Sequence, residues 1–312
     1  MTSRGSAQPP LRPRALRPGA RVALVAPAGP LGPGVLDKAV DRCRRLELEP
    51  VTYPAATRRR GYLAGSDEER LADLQAAFDD PATDAVWALR GGYGTLRILD
   101  GLDLSRQRRD PIPFIGFSDN TNLHALHAQA GVVSFHGPHP GADFPPEAEA
   151  SFRAALFSGE APGLLSSRPE DPAPRALRGG SADGRLIGGN LAILASLCGS
   201  RDAISARGRI LLLEDVGEPA YRVDRMLHQL LRAGVFDGVA GLAFGRFTGV
   251  GEGLSDILAV LSEFAVRLGV PAVADLPFGH VEHNCTVPLL ANARLDADAA
   301  TLLVTEPATQ PG

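Results

Sequence analysis

The chain has 312 residues, enough for one large domain or two modest ones. Lys and Arg total 32 against 36 Asp and Glu, and a net charge of −4 supplies no global field to recruit nucleic acid. No apolar run approaches the ~20 residues of a membrane span, and three widely spaced cysteines with no CxxC pair suggest neither a disulfide framework nor a zinc knuckle.

Residues 1–19, rich in Arg and Pro, read as a flexible leader. The first apolar run begins near Val22 and stops at Pro27, too short for a signal-peptide core, so a cytoplasmic location is expected. "RVALVAP" (21–27) is a strand candidate. Val35, Ala39, Cys43 and Leu46 then recur at helical spacing. "GSDEERLADLQAAFDD" opens with Ser66 and places Glu69 three residues on, the pattern of a capping box, with Leu71, Leu74 and Phe78 on one face. "AVWAL" (85–89) and "PFIGF" (113–117) are short buried strands, the second followed by a helix. Strands alternating with helices predict a parallel sheet covered on both faces.

Residues 140–184 are Pro/Gly-rich, with one short helical piece, and are placed as the domain junction. Beyond them "RILLLEDV" (209–216) and "GVAGLAFGRF" read as strands. "YRVDRMLHQLLRAG" and "LSDILAVLSEFAVRLG" read as helices, the first stopped by Gly234. "TVPLLANARLDADAATLLVTE" reads as two short strands around an Asp/Ala turn, closing an α/β half with antiparallel pairs. The resulting division is a leader at 1–19, a first domain at 20–145, a linker at 146–184 and a second domain at 185–312.

Ligands of open parallel sheets gather beyond the carboxyl ends of the strands. Three stretches fall there: "LRGGYG" (89–94), "GFSDN" (116–120) and "LLLEDVGE" (211–218). Ser118 is either a helix cap or a nucleophile exposed at a strand-to-helix turn. The hydrolase pattern G-x-S-x-G is not met, because position 120 is Asn. The paired glycines of "RGGYG" suit an oxyanion-hole loop or a tight turn, and with no Lys-Ser/Thr after them they are not a phosphate loop. Glu214, Asp215 and Glu218 are candidate acids, with Glu214 the most buried by pattern. Histidines cluster as His124/His127, His136/His139 and His280/His283, which raises metal ligation, although no acidic residue is embedded as in H-E-x-x-H. His280 follows "DLPFG" at a strand end.

"GYLAGSDEERLADLQAAFDDPATDAVWALRGGYGTLRILDGLD", "FIGFSDNTNLHAL", "LIGGNLAILASLCG", "LLLEDVGEPAYRVDRMLHQL" and "PFGH" together resemble the L,D-carboxypeptidases, or muramoyltetrapeptide carboxypeptidases, a family shared with the microcin C immunity proteins. The resemblance covers about residues 20–305. It implies a flavodoxin-like N-terminal parallel-sheet domain and a smaller C-terminal α/β domain with some antiparallel strands, with the active site in the groove between them. It implies a Ser–Glu–His triad at Ser118, Glu214 and His280, and an oxyanion hole formed by the backbone N–H groups of Asp119 and Gly92. It further implies a homodimer that needs no metal or cofactor and acts on a small peptide or muropeptide, with no nucleic-acid or membrane partner. His283 stands as a rival base, and "VPLL" (287–290) departs from the family's Pro-Leu-Gly.

A cationic group should meet the substrate's terminal carboxylate, for which Arg90, Arg222 and Arg225 are candidates. The nearest rival function is an immunity-type amidase acting on aminoacyl- or peptidyl-nucleotide analogues. That substrate calls for an aromatic platform, and the single tryptophan, Trp87, lies inside a predicted strand. A non-catalytic two-lobed binding protein and a histidine metalloenzyme are the more distant alternatives.

Overall fold

A computed structural model describes residues 9–311. In the first half, apolar runs that end at Gly, Pro or a polar turn form short strands, with amphipathic helices returning the chain between them. The elements are β1 (Arg21–Val25), α1 (Val35–Arg45), β2 (Glu49–Thr52), α2 (Asp67–Asp79), β3 (Ala85–Ala88), α3 (Ser105–Arg109), β4 (Phe114–Gly116), α4 (Thr121–Ala130) and β5 (Ser134–His136). The capping box forms as expected: Glu69 N donates to Ser66 Oγ and Ser66 N to Glu69 Oε2.

The second half contributes α5 (Pro146–Leu156), β6 (Gly163–Leu164), β7 (Arg175–Arg178), β8 (Ser181–Asn190), α6 (Leu191–Ser196), β9 (Arg209–Val216) and α7 (Ala220–Arg232). It continues with β10 (Gly241–Thr248), α8 (Leu254–Leu268), β11 (Ala272–Ala274), β12 (Val287–Leu289), β13 (Asn292–Asp296) and β14 (Thr301–Val304).

Two sheets result. The first has the order β12-β5-β4-β3-β1-β2, in which β1 to β5 are parallel and β12 is antiparallel. Its 2-1-3-4-5 core is the flavodoxin-like order, with the switch point between β1 and β3. The second sheet is mixed, β6-β14-β13-β8-β9-β10-β11-β7. Its centre, β8 to β11, is parallel, and antiparallel strands flank it on both sides.

Two expectations about chain organisation need correction. From Leu11 onward the leader is bound: Leu11 N donates to Gly131 O, Ala15 N to Gln310 O and Leu16 N to Leu156 O, and the Leu16 side chain is buried. Residues 1–8 lie outside the described residues. The stretch 146–184 is not a free connection either. In α5, Phe152 stacks on Trp87 at 4.6 Å, and β7 and β8 are strands of the second sheet. The physical reason is burial: Phe152, Ala155 and Leu156 are apolar and fully covered.

One apolar cluster runs through both halves, joining Phe78, Phe114 and Leu123 to Leu191, Leu211, Leu227 and Phe244. β12 adds a second tie, because a segment from the end of the chain closes the edge of the first sheet through Val287–His136 and Leu289–Ser134 pairs. The two sheets are therefore held with their strand ends in a fixed relation. No described helix is long and apolar enough to cross a membrane.

Candidate active site

Ser118 directly follows β4 and Phe117, and its φ is +62°. A non-glycine residue in this left-handed region stores roughly 1–3 kcal/mol. The strain argues against the cap reading, and geometry agrees: among the described residues the Ser118 side chain makes no cap hydrogen bond to the helix that follows. The turn is braced from several sides. Asn120 Nδ2 donates to Phe117 O at 3.0 Å and to Arg90 O at 3.3 Å. Asp119 Oδ2 accepts from Thr95 N and Thr95 Oγ1, both at 2.9 Å.

The glycine loop after β3 lies against this turn. A Cβ on Gly91 would sit 2.7 Å from Ser118 Cβ, 2.9 Å from its Oγ and 3.2 Å from Asp119 N. Only a residue without a side chain lets the loop approach so closely. Gly92 follows with φ +104°. No hydrogen bond to the N–H of Asp119 or of Gly92 is found among the described residues, so both donors remain for a ligand oxygen. Arg70, fully buried, clamps the loop: its guanidinium donates to Pro27 O and, at 2.9 Å, to Gly94 O. Replacing Gly91 by Ala should therefore push Ser118 or the loop out of place. The expected result is a loss of activity of about 10²-fold or more, with a smaller change in melting temperature, read by kinetics and thermal unfolding side by side.

The second sheet supplies a carboxylate and an imidazole. Glu214, fully buried in β9, accepts at Oε2 from His280 Nδ1 at 2.7 Å. The loop after β11 reaches this close because Gly279 has φ +109°, and a Cβ there would meet Glu214 Oε2 at 2.8 Å. A carboxylate only accepts, so Nδ1 carries the proton and Nε2 keeps the basic lone pair. Burial alone would lower the His280 pKa, but the hydrogen bond and charge of Glu214 outweigh it and leave the pKa raised above 6.5. Asp215 points the other way: it accepts from Asn190 Nδ2 at 3.0 Å and from Ala192 N at 2.9 Å. Burial and the neighbouring Glu214 push its pKa up to about 6. Glu218 is half-buried and pairs with Arg222 at 3.4 Å.

The two halves meet at Phe117, whose ring lies 4.8 Å from that of His280. Among the described residues no hydrogen bond yet joins Ser118 Oγ to the imidazole. A further link, which the sequence did not single out, is Asn190: its N–H donates to Thr121 Oγ1 at 3.0 Å, tying α4, the helix after Ser118, to the strand beside Glu214. An Asn directly before the apolar run "LAILA" was the signal available, and its side chain does cap α6.

Three further histidines brace the fold. His124 Nε2 donates to Gly116 O at 2.8 Å and His127 Nδ1 to Leu123 O at 2.8 Å, while Asn120 Nδ2 donates to His139 Nε2 at 3.3 Å. Burial lowers the pKa of His124 and His139 to about 3 and that of His127 to about 4, so they stay neutral. His283, the rival base, has both ring nitrogens engaged, by Asp171 at 3.0 Å and Cys285 Sγ at 3.5 Å. No group of three or more His, Cys, Asp or Glu placed to hold a metal is found among the described residues.

Of the three arginines, Arg90 adjoins the glycine loop. Its Nη1 donates to Pro30 O at 2.7 Å, and it makes no ion pair among the described residues. Arg222 is engaged by Glu218, and Arg222 and Arg225 both lie over the Tyr221 ring, on the exposed side of α7. Trp87 is buried, with Nε1 donating to Pro138 O, and offers no stacking face to a ligand.

Residues 22–137 match the LD-carboxypeptidase N-terminal domain, and residues 183–295 match the LD-carboxypeptidase C-terminal domain. The chain is 37% identical to the murein tetrapeptide carboxypeptidase of Pseudomonas aeruginosa over 290 residues, covering 89% of this chain and 94% of that one. The crystal structure of muramoyltetrapeptide carboxypeptidase from Oxalobacter formigenes superposes with a TM-score of 0.78 at 31% identity, over 92% of this chain and all of that one. The microcin C7 self immunity protein MccF, in complex with aspartyl sulfamoyl adenosine, shares the fold with a TM-score of 0.87 at 23% identity, over 96% of this chain and 100% of that one. Fold, domain matches and identity along nearly the whole length agree: this chain belongs to the LD-carboxypeptidase family.

Proposed function

We propose that the protein is a serine L,D-carboxypeptidase that releases the terminal D-alanine of peptidoglycan-derived tetrapeptides, with Ser118 as nucleophile, His280 as base and Glu214 as the acid that orients it. The observation that carries this reading is the Glu214–His280 hydrogen bond, whose imidazole lies 4.8 Å from the ring of Phe117, the residue just before a serine held in a left-handed turn. As substrate fills the groove, Ser118 Oγ comes within reach of His280 Nε2. The hydroxyl oxygen attacks the carbonyl between the diamino acid and D-alanine, and His280 takes its proton. The N–H groups of Asp119 and Gly92 stabilise the tetrahedral oxyanion. The C–N bond breaks, His280 protonates the departing amine, and a water activated by the same imidazole hydrolyses the acyl-enzyme.

Arg90 is the best placed of the three arginines to hold the terminal carboxylate, since it borders the oxyanion loop and has no acidic partner among the described residues. Arg90→Gln should raise KM for the tetrapeptide about tenfold or more with a smaller effect on kcat, measured from initial rates. The reading also carries a cytoplasmic site of action and a homodimer, the latter open to sedimentation equilibrium.

The reaction is tested by incubating the purified protein with a sugar-free tetrapeptide and with the corresponding pentapeptide, and measuring free D-alanine. Release from the tetrapeptide alone supports the L,D reading, whereas release from the pentapeptide alone, or from neither, contradicts it. The buried Trp87 leaves the nucleotide-directed alternative without a platform from that residue.

A further inference from the structure

The proline-rich stretch between β6 and β7 crosses the second sheet beside the loop that carries His280. Its Asp171 is nearly buried and gathers three cationic or donor groups from three parts of the chain. Arg168, on the same stretch, reaches it at 3.2 Å. Arg246 reaches it from β10 at 3.1 Å. His283 Nδ1 reaches it from the His280 loop at 3.0 Å. Each partner is fixed in turn. Arg246 Nη2 donates to Pro172 O, and its backbone N–H donates to Phe278 O, two residues before His280. Arg168 also meets Glu282 at 3.6 Å and Glu170 at 3.5 Å. Cys285, whose thiol burial pushes up to about 11, keeps its proton beside His283 Nε2.

We propose that Asp171 is a positioning residue for His280: it buckles the loop 279–285 to β10 and to the stretch 166–172, and so holds the imidazole against Glu214. The inference rests on the triad reading above. Burial alone would raise the Asp171 pKa, but the hydrogen bonds from Arg168, Arg246 and His283 hold it well below the usual carboxylate range. Asp171 therefore stays charged throughout the working pH range. The groups that do face His280 are Glu214, Asp215, His136 and His139.

Asp171→Asn keeps the shape but replaces an acceptor oxygen with a donor, leaving one cationic partner unmatched. Two readouts test it: D-alanine release from the tetrapeptide, and the rate at which a fluorophosphonate labels Ser118. In the second, the Ser118 oxygen bonds to phosphorus, fluoride leaves and His280 takes the proton. Both rates should fall by the same factor, up to about 100-fold, with KM unchanged. The acid midpoint of labelling should move down as the His280–Glu214 contact loosens. Arg168→Gln should move both readouts the same way by less, and decides the matter if Asp171→Asn does not fold.

Leu46→Ala, a core change remote from this loop, should lower stability without moving the midpoint. Wild-type rates and midpoint in both buckle variants would overturn the proposal, as would an equal midpoint shift in Leu46→Ala. A wild-type protein that is labelled but releases no D-alanine would sink the substrate reading alone, and the labelling arm would still decide the role of Asp171.

Discussion

Glu214→Gln should lower kcat for D-alanine release about 10⁴-fold in a protein that still folds. The substitution changes one oxygen to an amide nitrogen in a fully buried site. Its consequence lies in the tautomer. With a carboxylate at 2.7 Å, Nδ1 carries the proton and Nε2 keeps the lone pair that the proposed mechanism uses as a base. An amide NH₂ turned toward the ring would ask Nδ1 to accept, placing the proton on Nε2, where the imidazole cannot take one from Ser118. A second effect concerns pH. The active imidazole is neutral, so kcat/KM rises with pH through the His280 pKa, which Glu214 holds above 6.5. Without that charge, burial dominates and the acid limb moves to lower pH. Asp215, at about 6, titrates on the same limb and also relaxes downward, since Glu214 is one of its two raising influences. A pH series of kcat/KM for wild type and Glu214→Gln reads both effects, and a variant within tenfold of wild type would remove Glu214 from the mechanism.

The larger effect belongs to Ser118, the proposed nucleophile. Ser118→Ala removes only the hydroxyl and keeps the Cβ that packs against Gly91, so the loop and turn should survive. Loss of a triad nucleophile costs roughly 10⁶ in kcat in the best-studied serine hydrolases, because the remaining members cannot act without it. Substrate binding, which rests on other groups, should persist. A titration of the variant with tetrapeptide should show a dissociation constant near the wild-type KM.

Much of this site is visible in local sequence. The apolar run that breaks at Ser118 and the paired glycines after β3 mark neighbouring strands of the first sheet that end on the same side, and the three leucines ahead of Glu214 mark a buried strand of the second. The hydrolase elbow pattern fails only at position 120. There Asn120 turns its side-chain amide back onto Phe117 O and Arg90 O, which a glycine could not do. The parts that escaped local reading depend on partners far away in the chain. β2 begins with Glu49 and Pro50, β5 has three residues and β12 contains Pro288, so none shows a strand pattern by itself. They exist because each pairs with a neighbour already in place. Pro288 is tolerated because β12 is an edge strand.

The bound leader is a similar case, held by Gly131, Leu156 and Gln310. The histidine pairs, which spacing alone left open to metal, are separated by their packing: His124 and His139 brace the Ser118 turn, while His280 and His283 face different carboxylates. Asp171 lies in a proline-rich stretch with no periodicity, and its importance depends on residues 246 and 283, which only the fold brings to it.

The role of Ser118 is tested most directly by one comparison: free D-alanine released from a sugar-free tetrapeptide by wild-type protein and by Ser118→Ala, each shown to be folded. Multiple turnover by wild type and release at the uncatalysed background by the variant is the result expected. Release by Ser118→Ala at the wild-type rate, or none by folded wild type, would contradict it.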